Sequence, residues 1–240
     1  MNPKSIIHDS WKPLLPLLDQ EELKYLNNEV LANCSYQPQN KMDIFRVFQM
    51  PLQDIKVVVL GHDPYPMPQD SNGLAIALSP TAIAPKEPLT LKYVKEEVSR
   101  DTGKDIYYIE PLEWVSQGVF MLNAALTVET GMGGSHLKYW RRFTEQVVSF
   151  IARKNPCVWL LWGQQAQSFI PKIGNSSFHV KGYDSNTIQS IPASPDYNYL
   201  LTATHPVSEG YHNGGGFKGC SHFTMANTIL KRKHLITINW

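Results

Sequence analysis

Three polar residues stand at the ends of apolar runs, and their types suit a single reaction. Asp63 follows VVVLGH, Asn123 follows VFML and His205 follows YLLTAT. A carboxylate can orient a water or stabilise developing positive charge. A neutral amide carries a donor and an acceptor, enough to read the edge of a planar heterocycle. A neutral imidazole can donate a hydrogen bond to a leaving group that gains negative charge, provided its surroundings depress its pKa. Tyr65 adds an aromatic ring two residues past the aspartate. Taken singly, each has a structural explanation. Asp63 and His205 sit beside prolines in turn-like contexts, Asn123 could cap a helix, and Tyr65 could pack over a loop. The functional case rests on the four occurring together.

The elements that must position them are legible as four short apolar runs: Ile55–Leu60, Val119–Leu122, Val158–Trp162 and Tyr199–Ala203. Helix-like stretches lie between and after them: Leu91–Val98, Trp140–Ala152, Gly163–Ile170 and His222–Lys233. In the second of these, Trp140, Phe143, Val147 and Ile151 share one helical face. Continuous apolar strands alternating with helices predict a parallel sheet covered on both faces. In open parallel sheets, ligand sites form beyond the carboxyl ends of the strands. That rule brings Asp63, Asn123 and His205 to one place if the strands are neighbours.

Composition bounds the rest. At 240 residues and 42% hydrophobic, the chain can bury a sizeable core, and a single domain over 1–240 is expected. Residues 1–40 are read as a helical part packed on it, and 182–198 as an inserted surface loop. Gly214–Gly216 is the one low-complexity triplet. The net charge of +1 excludes a broadly basic surface, so phosphate binding would need local groups. Candidate patches are Lys138–Arg142 and Lys231–Lys233, each of which also suits a solvated helix face. Cys34, Cys157 and Cys220 are odd in number and widely spaced. That argues against a disulfide framework or a zinc site and predicts a reducing, cytoplasmic compartment. No apolar run approaches about 18 residues, so no membrane span is expected, and Asp9 and Lys12 break any secretory signal.

Beyond these readings, the motifs resemble those of family-1 uracil-DNA glycosylases. GHDPYP (61–66) is similar to the family's water-activating GQDPYH, and residues 36–65 resemble the approach to it. NGLAIALS (72–79) is similar to HGLAFSV, WVSQGVFMLNAALTV (114–128) to ARQGVLLLNTVLTV, and VWLLWGQQAQ (158–167) to the LLWG-x-x-AQ segment. HPVSEG (205–210) and GFKGCSHFTMAN (216–227) resemble the HPSPLS loop and the GFFGC-x-HF-x-x-AN helix. The likeness runs in order over roughly residues 35–230. It implies an α/β fold, three layers around a four-stranded parallel twisted sheet. It also implies a monofunctional DNA glycosylase that flips a pyrimidine out of DNA and hydrolyses its N-glycosidic bond, leaving an abasic site. The expected partner is DNA, bound by a monomer, with no cofactor, metal, membrane or covalent lysine intermediate. By the same resemblance, Asp63 stabilises the sugar cation and positions water, and His205 bonds the base's O2 as it leaves. Asn123 reads the pyrimidine edge, Tyr65 closes the C5 side, and Gly73 and Leu74 form pocket wall. His62 and Ile76 also fall at base-contact positions. Pro88, Thr90, Gln164, Pro206, Val207, Ser208 and Tyr211 fall at DNA-contact positions.

The departures from the family cluster at the substrate. Ile76 replaces a stacking phenylalanine, His62 a glutamine and Pro66 a histidine. Lys86–Thr90 stands for a proline-proline-serine loop, with Leu89 at its serine and Thr90 as a substitute. In HPVSEG, Ser208 is left to hold phosphate, and Val207, or Tyr211 just after the motif, to fill the vacated stack. Two substrates are compatible with this pattern: uracil in repair, or a modified pyrimidine such as hydroxymethylated or glucosylated cytosine of phage DNA, in defence. A catalytically weak DNA- or protein-binding relative, such as a replication processivity factor, is the reading from another class. Retention of Asp63, Asn123 and His205 together argues against it.

Overall fold

The computed structural model describes residues 6–80, 82, 87–180, 191–192, 194–211 and 216–240, with 209–211 described by backbone only. Most of the 182–198 loop, Lys86 and most of the glycine triplet therefore lie outside the described residues, as does the side chain of Tyr211.

Seven strands form. β1 (Tyr36–Gln37) and β4 (Val128–Glu129) make a short antiparallel ribbon. β2 (Val57–Gly61), β3 (Val119–Asn123), β5 (Val158–Trp162), β6 (Ser177–Val180) and β7 (Asn198–Ala203) make a parallel sheet in the order β3-β2-β5-β7-β6. The sheet thus has five strands, not the expected four. The extra one, β6, is an edge strand whose SFHV sequence is only partly buried, so it lacks the unbroken apolar run of a central parallel strand. The four expected strands are present with shifted ends. β2 starts at Val57 because Leu52–Asp54 turns as a 3-10 helix. β7 gains Asn198, whose buried amide ties Cys157 N, Trp159 Nε1 and the Ala152 carbonyl together.

Helices flank the sheet: α1 (Glu21–Tyr25), α2 (Leu89–Thr102), α3 (Pro111–Val115), α4 (Leu137–Lys154), α5 (Gly163–Gln167), α6 (Ile170–Ile173) and α7 (His222–Arg232). The predicted stripe of α4 is buried: Trp140, Phe143, Val147 and Ile151 all face the core. The stretch expected as one helix from Gly163 breaks into α5 and α6. The N-terminal part packs on the body through Trp11, which stacks on Phe120 at 5.3 Å and donates its Nε1–H to the Met50 carbonyl.

Both predicted basic patches are largely engaged within the protein. Arg141 bonds Glu145 and Ser168 and lies over the Phe169 ring. Arg232 donates to the Ile191 carbonyl and Lys233 to that of Pro156. These side chains tie helices down. Among the described residues, no helix is long and apolar enough to cross a membrane.

Register makes the carboxyl ends of four strands level. Gly61 pairs with Asn123, Leu60 with Leu161, and Trp162 with Ala203. The chain leaves β2 for β3 on one side and returns for β5 on the other, so the strand order reverses at this edge. That is where open α/β sheets leave a crevice.

Candidate active site

The exit of β2 is crowded. A Cβ on Gly61 would stand 2.4 Å from Asn123 Oδ1 and 2.8 Å from Ala75 Cβ. Only glycine lets the strand end beside the asparagine. The pairing continues past the strand, with Ala124 N–H donating to the Gly61 carbonyl and Ala125 N–H to that of His62. Asp63 follows, its side chain 11% exposed. One carboxylate oxygen meets His62 Nδ1 at 2.9 Å, and the other accepts the Gly134 N–H at 2.5 Å. The hydrogen bond to Asp63 raises the His62 pKa above its ordinary value, outweighing burial.

His205 enters from the turn after β7. Its Nδ1 accepts the Val207 N–H at 3.2 Å, so in the neutral ring the proton sits on Nε2. Burial, and then the charge of nearby His62, push its pKa below the ordinary value. His205 is therefore a neutral donor at neutral pH. Asn123 is 2% exposed, and its side-chain nitrogen has no hydrogen-bond partner among the described residues. A buried amide donor left unmatched costs about 1–3 kcal/mol.

Tyr65 donates its hydroxyl to the Ile76 carbonyl at 2.7 Å, which fixes the ring. Burial raises its pKa well above the usual phenol range, so it stays neutral. Ile76 itself has φ +70° and sits in a three-residue turn closed by Ala77 N–H to the Ala75 carbonyl at 2.8 Å. A β-branched residue in the left-handed region is an outlier that the surroundings must impose.

These groups line one cavity of about 460 Å³. Of the predicted positions, it brings together His62, Asp63, Tyr65, Ile76, Thr90, Asn123, Gln164, His205 and Pro206. Three of the others do not line it: Pro88 caps α2, Val207 is 41% exposed, and Ser208 spends its N–H on the His205 carbonyl. The side chain of Tyr211 lies outside the described residues. Gly73 and Leu74, expected in the wall, are also absent from the lining. Gly73 packs on the backbone of Asp43, and Leu74 is core. Trp162, Gln165 and Pro66 line the cavity without having been predicted to. Gly134 was likewise missed. Its signal was the glycine-rich GMGGS run after β4, whose backbone reaches Asp63.

No family model matches the chain. Curated relatives do. It is 34% identical over 235 residues to the uracil-DNA glycosylase of Buchnera aphidicola subsp. Baizongia pistaciae, covering 93% of this chain and 94% of the relative. It is 32% identical over 241 residues to the uracil-DNA glycosylase of Azotobacter vinelandii, covering 99% and 91%. Among solved structures, that of mimivirus uracil-DNA glycosylase superposes with a TM-score of 0.75 at 20% identity, covering 100% of this chain and 89% of the other. A mimivirus UNG variant in complex with UGI gives 0.77 at 19% identity, covering 100% and 91%. These last two likenesses establish the fold.

Proposed function

The chain belongs to the uracil-DNA glycosylases, and from that membership we propose that it flips uracil out of DNA and hydrolyses the bond between base and deoxyribose. The observation that carries this reading is the unpartnered amide nitrogen of Asn123, buried in the same cavity as Asp63 and His205. As oriented, it offers a donor to a carbonyl such as O4 of uracil, while the amide oxygen can accept N3–H. Cytosine presents the opposite pattern at these two atoms.

The rest of the reaction follows from the other two groups. The C1′–N1 bond breaks with its electron pair leaving on the base. His205 Nε2–H bonds O2 as that charge develops, a contact stronger in the transition state than before it. Asp63 faces the sugar cation with its negative charge and holds the water that adds to C1′. Flipping is required because the bond cannot be reached within the stack. Tyr65, fixed by the Ile76 carbonyl, closes the C5 side against thymine.

A second reading has one observation in its favour. Ile76 offers an aliphatic contact where the family has a ring, and loss of a stacking platform worth roughly 1–3 kcal/mol suits a base held by other groups. On that reading the substrate is a C5-modified pyrimidine of phage DNA and the role is defence. The fixed Tyr65 opposes it.

Base release separates these readings. The protein and its Asp63→Asn variant are incubated with uracil-containing DNA and with DNA carrying glucosylated hydroxymethylcytosine. Abasic sites are scored by alkali cleavage and the freed base is identified by mass. Release of uracil alone, reduced at least about a hundredfold in the variant, is the expected result. Release of the modified base transfers the proposal to the second reading. No release of either base would leave a DNA-binding relative and overturn both.

A further inference from the structure

Beside the segment whose Gly134 N–H reaches Asp63, three residues from two segments meet. Cys34 precedes β1, Glu129 ends β4, and His136 is the residue before α4. The Cys34 sulfur, a Glu129 carboxylate oxygen and a His136 ring nitrogen lie within 4.8 Å of one another. The second observation is independent of this clustering. His136 is 1% exposed and its Nε2 has no partner among the described residues. Its Nδ1 lies 3.0 Å from the Thr127 hydroxyl, which already accepts the Trp140 Nε1–H at 2.8 Å. With Nδ1–H donating there, the Nε2 lone pair is free. A metal-bound histidine almost always holds its other nitrogen in this way.

We infer that Cys34, Glu129 and His136 form a binding site for one zinc ion. A thiolate, a carboxylate and a neutral imidazole supply two negative charges to a dication, and water can complete a tetrahedron. Bonds of about 2.0–2.3 Å require the three donors to draw slightly closer than they stand, which side-chain rotation of the half-exposed Cys34 and Glu129 provides.

The scaffold is suited to hold such a site. Thr130 N–H donates to the Ser35 carbonyl, and Glu129 N–H donates to the Ser135 hydroxyl. The segment between the ligands also carries Gly134, whose N–H reaches Asp63. Zinc would thus fasten the loop that orients the aspartate, without joining the reaction.

The test uses the full chain, stripped with a chelator and then titrated with zinc alone by calorimetry. Cobalt serves as the spectroscopic stand-in. One equivalent of zinc is expected to bind, with a rise in melting temperature. Cobalt should give a tetrahedral spectrum with a thiolate charge-transfer band. Cys34→Ala, at a half-exposed position that leaves the core intact, should abolish that band and weaken zinc binding at least about tenfold. Glu129→Gln should weaken binding and keep the band. Absence of saturable binding by the wild-type protein, or unchanged binding and spectrum in Cys34→Ala, would overturn the inference.

Discussion

At the scale of single residues, the site is a set of charges placed for a reaction that moves charge. His205 is pressed toward neutrality by burial and by His62, while His62 is held toward the cation by Asp63. The two histidines therefore titrate apart, and the consequence for rate falls on His62. Once protonated, it pairs with the carboxylate and cancels part of the charge proposed to face the sugar. Its pKa is raised, so protonation sets in above the ordinary histidine value of about 6.5. Activity should accordingly fall as pH drops through that raised value, by about one log unit per pH unit. In His62→Gln, which keeps a polar neighbour without the titration, single-turnover rates should lose this acid limb. An unchanged limb would assign the titration to another group.

At the scale of elements, the site depends on strand ends that come level, and on one very close approach. Gly61 and Asn123 are partners in register, and the asparagine oxygen occupies the space a side chain at 61 would need. Gly61→Ala should push Asn123 aside. We expect a loss of about 1–3 kcal/mol in stability, together with at least a tenfold fall in kcat/KM, about 1.4 kcal/mol. Melting curves and kinetics on the same preparation check both, and full activity in a folded variant would contradict this placement. The largely buried runs of β2, β3, β5 and β7 were visible in sequence because strands covered on both faces are apolar on both. β6 was not, because this edge strand, unlike β3 at the other edge, is only partly covered and so mixes polar residues into its four positions. The contact from Gly134 to Asp63 was marked only indirectly, by the glycine-rich run that carries it, since a backbone N–H does not itself specify a residue type. The Cys34, Glu129 and His136 cluster escaped for a related reason. Spacing rules find metal ligands close in sequence, and these meet only through the β1–β4 ribbon.

At the scale of the whole molecule, the sheet and its helices are joined by buried polar groups whose charge states set how the fold responds to acid. Burial pushes the Glu97 carboxyl up, but Arg100 and the N–H groups of Gly219 and Ser221 outweigh it and hold the pKa below its ordinary value. This anchors α2 to the approach of α7. Its contribution is complete above the unfolded carboxylate pKa and is lost as pH falls through the lower folded value. His222, at the start of α7, accepts the Trp162 indole N–H at 3.0 Å, and burial pushes its pKa down to about 4. In the unfolded chain it takes a proton near 6.5. Between those values the unfolded state binds more protons, so stability falls with pH, by about 3 kcal/mol across the window. Glu97 then weakens the fold further at lower pH. Because Trp162 also lines the cavity, the same bond links acid sensitivity to the site. Urea unfolding at pH 7, 5.5 and 4.5 should show most of the loss before the carboxylates titrate. His222→Gln, which can still accept from Trp162 but cannot take up the proton, should flatten the curve between pH 6.5 and 4. A variant that keeps the wild-type slope would place the acid-labile group elsewhere in the core.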